Sequence, residues 1–459
     1  MTTKTTVVFK NFKTIKYNIL WKNLKPRIDI TYVIIVISTI GEVIDYQGAF
    51  KDMINLENIY NFSVKGNISK MFFNCKKFNQ NISDLDVSLV INMSYMFAKA
   101  KSFNRTLNEW GEKVSLVTNM SYMFAKATSF NQPLNDWNVV NVITMDFMFH
   151  FAESFNQPLN CWSCLYSVTS MESMFCYATS FNQPLNEWVV SNVTNMNFMF
   201  SHASSFNGAI GAWDVSNVTR MSSMFDYATS FNQPLNGWDV SNVTDMSSMF
   251  EGAQYFNNPL NDWKDKVSSV TFMNSMFSYS TYFNQNISNW NVSNVTDMSY
   301  MFKGAQFFNQ PLNGWNVSSV IDMNSMFQEA EFFNQPLHEW KVLSVKNMNS
   351  MFDCSMTFNQ PLNLWDVSSV TDMGEMFKYA QSFNQPLGEW KVSSVTNMNS
   401  MFEKAISFNQ PLDEWKVLPV TDMSNMFNSA TSFNQPIQNW DTNNVVFVKT
   451  YFNKKRRLN

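Results

Sequence analysis

Residues 365–389 read WDVSSVTDMGEMFKYAQSFNQPLGE, and near-copies of this stretch fill most of the 459-residue chain. The Met-Phe pair at Met376 occurs fifteen times between Met71 and Met426. Its steps are 25 residues, except two of 27 and one of 26. The two longest steps both insert between Trp and Val, at Trp110-Gly-Glu-Lys-Val114 and Trp263-Lys-Asp-Lys-Val267. Insertions confined to one point of a repeat imply one tolerant loop on one face of a stacked array.

Within the unit, Met373, Met376, Phe377 and Ala380 fall at i, i+3, i+4 and i+7, the spacing of one helix face. Thr371 precedes them where an N-cap hydroxyl is wanted, and Asp372 suits the positive end of a helix dipole. The spacing therefore predicts a helix over Asp372 to Tyr379. Phe383-Asn384-Gln385-Pro386 reads as a turn, and eleven of the thirteen prolines occupy this one place. Trp390 and Val392 alternate around Lys391, so Pro386 to Val392 is expected as a strand opening on proline.

One short strand and one short helix per 25 residues cannot close a core alone. Stacked copies can, with a parallel ladder on one side and helical turns on the other. The fold class expected is an α/β solenoid of about fifteen such units. Residues 1–60 are expected as a non-repeat capping segment, 61–440 as the solenoid, and 441–459 as a degenerate cap with a basic tail. The terminal copies depart from the pattern: Leu85 replaces Trp in the first, and Tyr451-Phe452 replaces Met-Phe in the last.

Aromatic residues make up 16% of the chain and charged residues only 15%, against about 25% charged in ordinary soluble domains. So much apolar material requires an efficient core. A net charge of −4 argues against a broad phosphate-binding surface. Cys75, Cys161, Cys164, Cys176 and Cys354 are too few and odd in number for a disulfide framework. Thr31 to Ile40 is apolar but shorter than the roughly 20 residues that span a bilayer. It is expected as a buried strand or capping segment, with an atypical signal or anchor as the alternative and no transmembrane span.

Several chemistry-bearing patterns have plainer readings. Fourteen Met-x-x-Met pairs offer soft thioethers suited to Cu(I), yet they occupy the face that must be buried, where methionine fills irregular cores. Cys161-Trp-Ser-Cys164 has metal-motif spacing but no second pair. His150, His202 and His338 are too scattered for a triad, and no HExxH, P-loop or GxGxxG motif is present. No catalytic, cofactor-binding or metal residue is therefore expected, no cofactor, and no enzymatic activity. Sequons such as those at Asn192, Asn217, Asn242 and Asn294 arise from the repeat itself. Asn384 and its equivalents read as a stacked hydrogen-bonding ladder, and Lys454 to Arg457 as a solubilising tail with a nuclear-targeting or phosphate-contacting tail as the alternative.

Residues flanking Trp point to a candidate partner-binding strip. Glu339 and Lys341, Glu389 and Lys391, and Glu414 and Lys416 place mixed charge on three near-consecutive copies. The partners expected are proteins, not nucleic acid, with the chain a monomer or weakly self-associating.

The unit W-x-V-S-x-V-T-x-M-x-x-M-F-x-x-A-x-x-F-N-Q-P-L resembles the BspA-like leucine-rich-repeat family, the bacterial surface protein repeat of DUF285 type. The resemblance covers roughly residues 61–452. It implies a leucine-rich-repeat-like solenoid used for adhesion or protein recognition at a cell or particle surface, without catalytic residues. No lipid-attachment Cys or sorting signal accompanies it, so an intracellular interaction scaffold is the alternative.

Overall fold

A computed structural model describes residues 5–10, 30–36, 46–60 and 64–446. They fall into two units, Met1–Arg220 with Met224–Gln233, and Met221–Ser223 with Pro234–Asn459. Inside each unit the copies stack as successive coils of a repeat solenoid, bonded through their backbones.

The stretch expected as a helix is a chain of turns instead. The amides of Met373, Glu375, Phe377 and Tyr379 donate to the carbonyls of Asn397, Asn399, Met401 and Glu403 in the next coil, at 2.7–3.0 Å. The intervening amides of Met376, Lys378 and Ala380 donate back to Met373, Glu375 and Phe377. Glu375 and Tyr379 hold φ of 57° and 56°. Positive φ at the third residue makes Met373–Met376 and Phe377–Ala380 type II turns. A helix would turn its amides on itself, whereas here every second amide bonds a neighbouring coil. Each left-handed residue costs roughly 1–2 kcal/mol, so the turns persist only because adjacent coils hold them. The i, i+3, i+4, i+7 pattern is real, but stacked turns produce it as well as a helix does.

The predicted strand at Pro386 to Val392 is also absent. A turn in which the Trp390 amide donates to the Leu387 carbonyl at 3.0 Å bends the chain there. The parallel pairing lies instead at the Asp372 position, one bridge per coil, in the series Asp322, Asn347, Asp372, Asn397 and Asp422. Thr371 is a clamp between coils rather than a cap, since both its amide and its hydroxyl donate to the Lys346 carbonyl. Asp372 accepts the Gly374 amide at 2.8 Å, a local turn bond.

Ahead of the motif copies, β1 (Thr5–Lys10), β2 (Ile30–Val36) and β3 (Asn58–Tyr60) form a parallel sheet in the order β1-β2-β3. Most of the apolar Thr31 to Ile40 stretch is thus strand, and residues 37–40 lie outside the described residues. β4 (Gly66–Asn67) pairs with β5 (Val90–Asn92). Coiling begins earlier than the motif does. Gly48, Phe50 and Asp52 donate to the carbonyls of Ser69, Met71 and Phe73, and Phe50 stacks on Phe72 at 5.6 Å. No helix among the described residues is long and apolar enough to cross a membrane.

The core is a set of side-chain columns. Phe377 and Phe383 stack on each other at 4.0 Å and on their counterparts one coil away at 5.7 and 6.0 Å. Trp390 stacks on Trp365 at 6.4 Å, and its indole N–H donates to the Leu362 carbonyl at 3.0 Å. That bond lets an indole be buried without orphaning its donor. Met373 and Met376 are fully buried beside these rings.

Both insertions form short 3₁₀ segments, Asn108–Val114 and Asn261–Val267. At the same kink, Gly111 sits at φ 16° and ψ −110°, and Lys264 at φ 24° and ψ −108°. Glycine tolerates such geometry and lysine does not. Lys264→Gly is expected to raise stability by about 1 kcal/mol, and Gly111→Lys to lower it comparably. Urea unfolding of the pair checks this; a Lys264→Gly variant no more stable than the wild type contradicts it.

Candidate functional site

All six residues of the expected strip are exposed: Glu339, Lys341, Glu389, Lys391, Glu414 and Lys416. They point outward because the Trp between each pair is buried, with Trp340 1%, Trp390 3% and Trp415 1% exposed. Among the described residues, none of the six forms an ion pair with another residue of the strip, and His338 Nε2 lies 4.0 Å from Glu339 Oε1.

Four of the six gather round two adjoining open grooves of about 410 and 260 Å³. Glu389 and Glu414 line both grooves, while Lys391 and Lys416 line the smaller. Glu339 and Lys341 line neither. Gly388 lies in both walls, and a Cβ there would come 3.1 Å from the Pro411 carbonyl oxygen. Most copies carry Asn at that position. In three of them, Asn135, Asn236 and Asn313, the side-chain oxygen accepts an amide of the next coil, that of Glu339 at 3.0 Å in the last case. Glycine has no side chain to form such a bridge or to fill the groove.

Sequence reasoning missed two residues of this surface. Leu364, in the copy between Glu339 and Glu389, is 69% exposed. Asp366 follows the same Trp. The Ser368 hydroxyl and amide hold its carboxyl below the usual range, and Lys391 adds to the effect. The exposed leucine before Trp, where other copies carry polar or small residues, was the available signal.

The other candidates resolve into structure. Cys161 and Cys164 are exposed free thiols, and Asn135 Nδ2 donates to Cys161 Sγ at 3.0 Å. Among the described residues, no three His, Cys, Asp or Glu groups gather as a metal ion requires. The sequon amides of Asn192, Asn217 and Asn294 donate to the carbonyls of Tyr166, Ser191 and Ser268 at 2.7–2.8 Å, so the nitrogen a glycan would take already bridges two coils. Asn384 Oδ1 accepts the Asn409 amide and the Gln410 side chain at 2.9 and 3.0 Å, a ladder as expected. Burial pushes His150 down to about 4, with Lys126 contributing, so this ring is neutral.

One buried carboxyl is shifted toward neutrality. Burial pushes Asp226 up to about 6, against the Ser201 hydroxyl that donates to it at 3.1 Å. His202 Nε2 lies 3.7 Å from Asp226 Oδ2, its ring stacked between Tyr177 and Tyr227 at 4.2 and 5.0 Å. Beyond Ser201, burial and the Asp226 charge keep the Cys176 thiol protonated. An acid whose folded value is raised stabilises the fold below its unfolded value and loses that contribution as pH rises through the folded one. The window here runs from about pH 4 to about pH 6. Asp226→Asn should therefore match the wild type at the acid end and melt higher above pH 7. The difference, discounted for partial exposure, is on the order of 1 kcal/mol. Identical melting at pH 8 would mean that the carboxylate is not desolvated.

A family model described as "Mycoplasma protein of unknown function, DUF285" matches residues 44–162, 112–208, 169–266, 264–365 and 353–459. None of the curated proteins matches the sequence. Among solved structures, the TLR13–ssRNA13 complex is similar at 9% identity and a TM-score of 0.23, over 93% of this chain and 75% of that one. The Drosophila Toll–Spatzle complex follows at 11% and 0.22, over 94% and 60%. An internalin (inlF) from Listeria monocytogenes stands at 10% and 0.20, over 89% and 86%.

Proposed function

The chain belongs to the DUF285 family, and on that premise we propose that it is a non-enzymatic scaffold that binds a protein partner through the face around Gly388. The observation that carries this reading is the groove pair bordered by Glu389, Lys391, Glu414 and Lys416. Exposed charges of both signs beside an open groove offer pairing and shape to a partner, and the adjacent Leu364 offers an apolar contact. The Asn and Thr ladders, by contrast, turn their polar groups to the neighbouring coil. A BspA-like role at a cell or particle surface agrees with this use of the face; an intracellular adaptor would use it in the same way.

The test is capture from the native source with the full chain immobilised, comparing wild type with Glu389→Lys/Glu414→Lys. Loss of wild-type partners from the double variant, at unchanged melting temperature, supports the strip. Partners retained in full would remove it.

A further inference from the structure

The net charge of −4 conceals a marked asymmetry. Over residues 51–126, Lys and Arg outnumber Asp and Glu by 10 to 6, whereas over residues 127–446 they are outnumbered 10 to 27. The stacked turns concentrate the basic excess further. The segments 70–80, 95–105 and 122–132 occupy equivalent stretches of three successive coils, and none contains a carboxylate.

Each coil contributes exposed cations to this stretch. Lys99 and Lys126 hold equivalent left-handed turn positions, at φ 62° and 60°. Lys76 and Lys101 form a second column, with Lys77 and Arg105 beside it. Lys70 completes the face from the turn above Tyr95. None of these seven pairs with a carboxylate among the described residues. Three rest on aromatic rings instead: Lys70 Nζ lies 5.0 Å from the Tyr95 centroid, Lys99 Nζ 5.2 Å from Phe73, and Lys126 Nζ 5.0 Å from Phe151. The carboxylates of these coils, Asp84, Asp86, Glu109, Glu112 and Asp136, fall in the other half of each repeat, where Lys113 acts on Asp86. Asp52 of the preceding coil borders the face and accepts from Asn74 Nδ2 at 2.9 Å.

We infer that this face binds the sugar-phosphate backbone of a nucleic acid without reading its bases. Unpaired lysines on three stacked coils present repeated point charges, which suit a polymer of regularly spaced phosphates. No large apolar side chain is exposed within the three segments, so nothing is available to insert into a bilayer. Lysine covers the half-buried rings beneath, and neighbouring rings such as Tyr95 and Tyr122 stack on each other at 4.3 Å, so bases have no open ring face to stack on. The acidic remainder of the chain does not cancel the face, because salt confines charge effects to about 8–10 Å.

The experiment is fluorescence anisotropy of a labelled single-stranded oligonucleotide of about 20 nucleotides, titrated with the full chain between about 50 and 200 mM salt. Binding is expected with a log–log salt slope of about −3 to −5, independent of base sequence. Lys99→Gln/Lys101→Gln/Lys126→Gln should make that slope shallower by about 2 while melting like the wild type. An altered fold alone would not predict that slope change. No binding at low salt, an unchanged slope in the triple variant, or tighter binding to phosphatidylserine vesicles or polyglutamate than to the oligonucleotide overturns the assignment.

Discussion

Phe377→Ala lowers stability by about 3–5 kcal/mol, the cost of emptying a buried aromatic site that cannot collapse. The ring has no exposed surface, stacks on Phe383 at 4.0 Å, and lies between Phe352 and Phe402, each 5.7 Å away. Trp390 closes the fourth side at 6.4 Å. Relaxation is blocked because the Phe377 amide is tied to the Met401 carbonyl at 2.9 Å and the Phe352 amide to Met376 at 2.9 Å. The backbone spacing of the coils is therefore fixed while the ring is missing. Urea unfolding followed by tryptophan fluorescence measures the change. In a solenoid each coil touches only its neighbours, so the transition should also broaden as cooperativity weakens at the damaged coil. A loss below about 1 kcal/mol would mean that adjacent Phe and Met side chains refill the space.

Gly208→Gln restores the residue that most copies carry after Phe-Asn, and it is expected to destabilise the chain by about 3 kcal/mol. Repeat logic alone predicts the opposite, since consensus substitutions commonly stabilise. The structure gives the reason. A Cβ at Gly208 would stand 2.2 Å from the Gln183 carbonyl oxygen and 2.9 Å from the Phe206 ring. This copy reads Asn207-Gly-Ala-Ile210 in place of Asn-Gln-Pro-Leu. The segment also bonds the previous coil, the Leu185 amide donating to the Ala209 carbonyl at 3.0 Å. The obstructing atom is backbone and has no rotamer in which to escape. Adding Ala209→Pro should recover most of the loss by returning the segment to the path of its neighbours. Thermal melting decides it: a single variant that melts higher than the wild type would show that the close approach is not rigid.

These two sites also mark how far the sequence could be read. Periodicity alone placed Met373, Met376, Phe377, Ala380, Trp390 and Val392 on inward faces, and all lie inside. Phe383 and Leu387 are buried as well, which the turn and strand readings did not say. It also identified the Asn384 ladder, because an identical polar residue at an identical place must meet its own copies. The outward direction of Glu389, Lys391, Glu414 and Lys416 followed from the buried Trp between them. The groove did not, since it depends on Gly388 lacking a side chain beside a carbonyl of the next coil.

The sequence by itself determined that the chain is a stack of near-identical coils and which side chains each coil buries. Burial depends on which residues are apolar and how often they recur, and both are written in one dimension. Only the tertiary structure decided what backbone the coils adopt. The amides of Glu375 and Tyr379 find their acceptors in the following copy, so the choice between a helix and a row of left-handed turns is made by a neighbour that no single repeat contains. The basic face on the first motif coils has the same origin. Its lysines are scattered along the sequence and become one surface only when stacking brings equivalent positions into register.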